Sequence, residues 1–153
     1  GKVSFVSADV TQEAAWRELI AAADALGGLD ILVNNAGGGL GPRNMADAEL
    51  DHHRAVMDLN LTSVWLGMRA AIQTMKARGG GSIVNISSID GVTGMATLSS
   101  YSAAKFGVTG LTRSVALEVA QTISGSTPCI RASSRPRSCS PRRPSGWRSI
   151  ARP

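Results

Sequence analysis

LDILVNNAGGG, residues 29–39, sets an almost unbroken apolar run directly against a turn of Asn and Gly. A strand with one wet face alternates apolar and polar side chains. Leu29-Asp30-Ile31-Leu32-Val33 barely alternates, so it reads as a parallel strand covered on both faces. Asn34-Asn35-Ala36-Gly37-Gly38-Gly39 is then a turn at its carboxyl end.

Upstream, Val3 to Val6 is β-branched and apolar enough for a short strand, and Asp9-Val10-Thr11 followed by Gln12-Glu13 predicts a Thr N-cap before an amphipathic helix over 12–27. Gly27-Gly28 ends it. Downstream, Leu50, Val56, Leu59, Val64, Leu66, Met68, Ile72 and Met75 supply helical apolar positions over 46–78. That is long for one helix, so a break near its start is expected. Residues 82–88, SIVNISS, read as a further strand, and 102–120 as a further helix. Strand and helix alternate three times with short connections, which is the pattern of an α/β domain with a parallel sheet and helices on its faces. Such sheets bind ligands at the carboxyl ends of their strands, where Asp9, Asn34-Asn35 and Ser87-Ser88 all fall.

The formal charge of +5 over 153 residues suggests a nucleic-acid or anionic-surface partner only until the charges are located. Residues 121–153 hold seven of the sixteen basic residues, from Arg131 to Arg152, and none of the eleven acidic ones, so residues 1–120 carry 9 − 11 = −2. The chain therefore divides into a globular part, 1–120, and an Arg/Ser/Pro-rich tail, 121–153, expected to be disordered. A cationic arm that binds RNA or DNA is disfavoured, because Trp147 is the tail's one aromatic residue. Cys129 and Cys139, with no His nearby, match neither a zinc motif nor a redox pair, and no metal is assigned. No run of 18 apolar residues is present for a membrane span and the N-terminus lacks the pattern of a signal peptide, so a cytoplasmic location is expected. Gly1 in place of Met suggests a piece of something longer.

Tyr101-Ser102-Ala103-Ala104-Lys105 carries chemistry. Spacing i, i+4 on a helix puts Tyr101 and Lys105 on one face, with Cβ atoms about 6 Å apart. An ammonium beside a phenol favours the phenolate, which a tyrosine with a reference pKa near 10 needs for proton transfer near neutral pH. Alone the pattern favours two snorkelling side chains at a helix start. His52 and His53, adjacent on a helix, point in different directions and read as solvated; Gly39-Leu40-Gly41 reads as a turn, and Trp65 and Met68 as packing residues.

With its companions the pattern is specific. Ser88 in NISSIDG lies thirteen residues before Tyr101, NNAG occupies 34–37 at a strand end, and Asn60 lies in DLNLTSVW in the following helix. In these motifs, their order and their spacing, residues 3–120 resemble the short-chain dehydrogenase/reductase family. The resemblance implies a partial Rossmann-like doubly wound parallel sheet with helices on both faces, and NAD- or NADP-dependent interconversion of a secondary alcohol and a ketone by hydride transfer. It implies a catalytic set of Asn60, Ser88, Tyr101 and Lys105. Tyr101 would exchange a proton with the substrate oxygen, and Ser88 would polarise that oxygen. Lys105 would lower the Tyr101 pKa and bind the nicotinamide ribose, and Asn60 would hold a water linking Lys105 to solvent. Asp9 and Val10 would meet the adenine, and Asn35, Ala36 and Gly37 would line the nicotinamide ribose. Partners would be a small-molecule alcohol or ketone and further copies in a homodimer or homotetramer, with no nucleic acid and no membrane.

The family's first strand and its TGxxxGxG phosphate turn would precede residue 1, and with them the residue that selects NAD or NADP. After Ala120 the family has a strand of the form IRVNxxxPG, where this chain has QTISGSTPCIRASSRPRS. Codons for Gln121 to Ser138 can be chosen so that the frame starting at the third base of Gln121 reads DNIRVNSVHPGFIETPL, so a frame shift near Gln121 is expected. The alternative to an enzyme is a truncated, catalytically inactive product.

Overall fold

The computed structural model describes residues 1–122 and 129–132, with side chains as far as Val119. In chain order these form α1 (Glu13–Ala25), β1 (Ile31–Asn34), α2 (Leu50–Met57), a π turn (Asp58–Thr62), α3 (Ser63–Ala77), β2 (Ser82–Asn85), a 3-10 turn (Ile89–Gly91), α4 (Ser99–Thr122) and β3 (Cys129–Ala132). The strands pair in the order β1-β2-β3, all parallel, with Ile31 opposite Ser82 and Asn34 opposite Asn85. The sheet and its crossover helices are those of a partial Rossmann-like α/β fold. α4 runs two residues past the expected boundary at Ala120, and β3 falls within the stretch expected to be a tail. The rest of that tail and the frame shift lie outside the described residues.

The core lies on one face of the sheet. Ile83 on β2 packs with Val64, Met68, Ala71 and Met75 of α3 and Val108 of α4, and Leu29 and Leu32 close against them. Each of these side chains larger than alanine contributes about 1.5–3 kcal/mol when fully withdrawn from water. α1 lies against α3, and its buried Trp16 donates from Nε1 to Val10 O at 2.9 Å. The other face is bare among the described residues, where Ile31 is 65% and Val33 53% exposed. The expectation that 29–33 is a parallel strand covered on both faces is thus met on one face only among the described residues: α3 packs on the face of Leu32 and Asn34, and Ile31 and Val33 point to the other.

Two local expectations are corrected. Val3 to Val6 forms no strand: no strand among the described residues stands beside it, its backbone has nothing to pair with, and Val3 and Phe5 are exposed. Thr11 does not cap α1. The N-cap is Gln12 without a side-chain bond, because Asp9 Oδ1 takes both Thr11 N–H (2.9 Å) and Thr11 Oγ1 (2.7 Å) in a turn one residue earlier. At the other end Gly27, at φ +113°, lets Gly28 N–H reach back to Ala23 O at 2.9 Å and closes the helix as anticipated.

The long helix is interrupted at its middle. α2 and α3 are joined through the π turn that holds Asn60, and π turns concentrate at functional positions.

Candidate active site

At the carboxyl ends of β1 and β2 the chain leaves the sheet and meets the start of α4 and the π turn. Asn60, fully buried, reaches across to the first of these crossings. Its Oδ1 accepts from Gly38 N at 3.0 Å, and its Nδ2 donates to Gly38 O and to Val56 O, each at 2.8 Å. Val56 O lies one helical turn before Asn60, so the side chain ties the π turn to the end of α2. Asn60 thus fixes the glycine turn through its side-chain amide.

Lys105, one turn into α4, is only 3% exposed. Burial disfavours its charged form and holds its ammonium below the usual lysine range. Nζ donates to Ile86 O at 3.0 Å and lies 5.6 Å from the centre of the Tyr101 ring. A methyl on Gly37 would stand 2.7 Å from Asn60 Oδ1 and 3.2 Å from Lys105 Nζ, so only glycine leaves room for both side chains here. Gly37, Asn60, Tyr101 and Lys105, drawn from three crossings, are therefore one cluster.

Ser88 stands at the exit of β2, two residues beyond the carbonyl that holds Lys105. It caps the 3-10 turn, its Oγ accepting from Asp90 N at 3.2 Å. Its neighbour Ser87 donates to Lys105 O at 3.0 Å and is hydrogen-bonded to Thr109 Oγ1 at 3.2 Å, which clamps this strand end to the helix carrying Tyr101. Asn35, Ala36 and Gly37 form an exposed shelf beside Lys105. Asp9 and Val10 precede α1 and are not joined to the cluster by any described bond. Asp9 Oδ1 is occupied by Thr11, chiefly by its hydroxyl and then by its backbone N–H, which hold the carboxyl below its ordinary range.

Several participants were not read as such in sequence. Asn34 Nδ2 donates to Asn85 Oδ1 at 2.8 Å, and Asn85 Nδ2 donates to Thr112 Oγ1 at 2.9 Å, a buried ladder that ties β1 to β2 and both to α4. The signal was two apolar strands each ending in Asn. His53, expected to be solvated, is half-buried, and its Nδ1 is hydrogen-bonded to Ser100 Oγ at 2.9 Å. Trp65, expected to pack, is 46% exposed with the Arg69 guanidinium 5.5 Å from its ring centre. Asp90 is buried, and no described donor reaches its Oδ1. Leu40 and Gly41 turn at positive φ, as the turn reading of 39–41 requires.

A large groove of about 410 Å³ lies elsewhere, between α1 and α3, lined by Trp16, Ile20, Leu66 and Arg69. The hollow beside Tyr101 is far smaller. Tyr101 is the one member of the cluster that lines this hollow, so the candidate site rests on the Tyr101/Lys105 pair and its contacts with Gly37 and Asn60 and not on the size of a cavity.

The profile of the short chain dehydrogenase family matches residues 1–131. A 3-alpha-(or 20-beta)-hydroxysteroid dehydrogenase of Mycobacterium tuberculosis is 47% identical over 116 residues, 75% of this chain and 44% of the relative. A trans-4-hydroxycyclohexanecarboxylate dehydrogenase of Sinomonas cyclohexanicum is 45% identical, again over 75% of this chain and 44% of the relative. The crystal structure of a short chain dehydrogenase from Mycobacterium smegmatis superposes with a TM-score of 0.75 at 36% identity, covering 83% of this chain and 52% of that one. The chain spans about half the length of the relatives it matches.

Proposed function

The chain belongs to the short-chain dehydrogenase family, and on that footing we propose that it is an NAD- or NADP-dependent oxidoreductase interconverting a secondary alcohol and a ketone. The observation that carries the reading is the buried Lys105 ammonium beside the Tyr101 ring, packed against Gly37 and Asn60. Relatives named for a hydroxysteroid and a hydroxycyclohexanecarboxylate support an alcohol as substrate.

In this reading Tyr101 is the general acid in reduction and the general base in oxidation, giving its proton to the substrate oxygen or taking it back. Ser88 Oγ donates to that same oxygen as charge develops on it. Lys105 keeps a positive charge at the phenol, and Asn60 holds the 36–38 turn against Lys105. The nicotinamide, when bound, supplies or accepts the hydride. The shelf fits its ribose: Asn35, Ala36 and Gly37 are exposed and small, and Lys105 Nζ uses one of its three donors on Ile86 among the described residues. Asp9 and Val10 would receive the adenine, and since Asp9 Oδ1 is taken by Thr11 the contact falls to the other carboxylate oxygen. Phe106 and Leu117, both exposed and about three turns apart on one side of α4, suit a homodimer or homotetramer.

One observation favours the second reading, a chain without catalytic function: the sheet face bearing Ile31 and Val33 is bare among the described residues. Titration of the purified 153-residue chain with NADH and with NADPH, followed by nicotinamide fluorescence, separates the two. Saturable binding supports the oxidoreductase, and binding of neither supports the inactive reading.

A further inference from the structure

We propose that His53 is a positioning residue for Tyr101, acting through Ser100; this deepens the oxidoreductase reading and rests on it for its catalytic meaning. The two members of the Tyr101/Lys105 pair are anchored independently. Lys105 is held from the end of β2, by Ile86 O on its ammonium and by Ser87 on its carbonyl. Tyr101 lies in the opening turn of α4, where backbone N–H groups lack helical partners and helices fray first. Within the chain leading into that turn, Ser102 N–H bonds to Leu98 O at 2.8 Å and Met95 N–H to Ser102 Oγ at 3.3 Å. That loop is itself irregular: Thr97 sits at φ +64°, and its carbonyl is held at 2.8 Å by Arg43 N–H of another loop. Ser99 Oγ reaches Met45 Sδ of the same loop at 3.6 Å.

Among the described bonds to this turn, the one from a helix is that between His53 Nδ1 and Ser100 Oγ, at 2.9 Å. His53 belongs to α2, which runs straight into the π turn holding Asn60. The turn bearing the phenol is therefore fixed to the element that clamps Gly38 against Lys105. A displacement of the phenol by about 1 Å is enough to cost a hundredfold in rate, so a single bond at this place controls catalysis without touching substrate.

Tyr101 is the chain's one tyrosine, so ring-¹³C-labelled tyrosine gives one spin system that reports this turn alone. His53→Ala is expected to move or broaden those ring signals, and Ser100→Ala to do the same. The double variant should go no further than either, since they remove one shared bond. His53→Gln, which keeps a side-chain hydrogen-bonding group, should restore the wild-type position. In turnover, His53→Ala should lower kcat about tenfold and leave KM within about twofold. Ring signals unchanged in His53→Ala with helix content intact would overturn the proposal, as would additive effects of the two variants. If His53→Ala fails to fold, Ser100→Ala decides by the same criterion. Failure of the chain to bind nicotinamide would remove the oxidoreductase reading, whereas the ring signals answer for His53 without cofactor.

Discussion

Asn60 grips Gly38 at both of its backbone polar atoms, accepting from its N–H at 3.0 Å and donating to its carbonyl at 2.8 Å. Asn60→Leu keeps the volume and removes the grip, leaving Gly38 N and Gly38 O to be satisfied by water or not at all. We expect a loss of stability on the order of 3 kcal/mol, from the cost of stranded buried polar groups. Urea unfolding followed by tryptophan fluorescence measures it, and a loss below about 1 kcal/mol would show that the turn holds without the clamp.

Gly37→Ala tests the closeness of the same cluster. Its methyl would meet Asn60 Oδ1 at 2.7 Å and Lys105 Nζ at 3.2 Å, both closer than ordinary van der Waals contact, so one or both must shift. Nicotinamide binding should weaken by about tenfold or more, the equivalent of about 1.4 kcal/mol, while global stability changes less than for Asn60→Leu. Equal affinity in the variant and the parent would mean that the cluster can open at no cost.

Tyr101→Phe separates binding from chemistry. The ring and its packing remain, and the proton does not. Turnover should fall by about a hundredfold to ten-thousandfold, the usual worth of a general acid or base, with cofactor affinity retained. Steady-state kinetics beside a binding titration reads the two effects apart. Unaltered turnover would remove Tyr101 from the mechanism.

Burial of Lys105 predicts a pH signature. Its folded pKa is depressed below the ordinary 10.5, so between the two values the unfolded chain binds more protons than the folded one. With that sign, this residue's contribution to stability improves as pH rises through the window and is least favourable below it. The difference in unfolding free energy between Lys105→Met and the parent should therefore shift in the parent's favour as pH rises toward about 10.5. A difference independent of pH would mean that Lys105 is solvated when folded.

The motifs that define the site were legible because each depends on a short, local spacing. Tyr101 and Lys105 are brought together by one helical turn, and NNAG and Ser88 are strand exits. What was not legible depends on partners distant in the chain. The Asn34–Asn85 bond spans two strands paired by a crossover, and His53 finds Ser100 only because α2 and α4 pack together. Thr11 lost its capping role to a carboxylate two residues away, and Val3 to Val6, with good strand composition, has no neighbour to pair with among the described residues. Trp65 shows a further limit: helical periodicity marks a face, but whether that face is covered depends on what stands opposite.

The π turn is in effect one surplus residue spliced into a helix. Each residue advances an α-helix by about 100°, so the surplus turns α2 through roughly that angle relative to α3 without changing the direction of the rod. α3 can then keep Val64, Met68 and Met75 on the sheet, while α2 points Val56 and His53 toward the start of α4. Winding all five residues from Asp58 to Thr62 as regular α-helix would give a smoother rod and a dephased one, with either the sheet-facing side or the His53 side carried out of alignment. The irregularity is thus a gear between two faces that a uniform helix could not serve together.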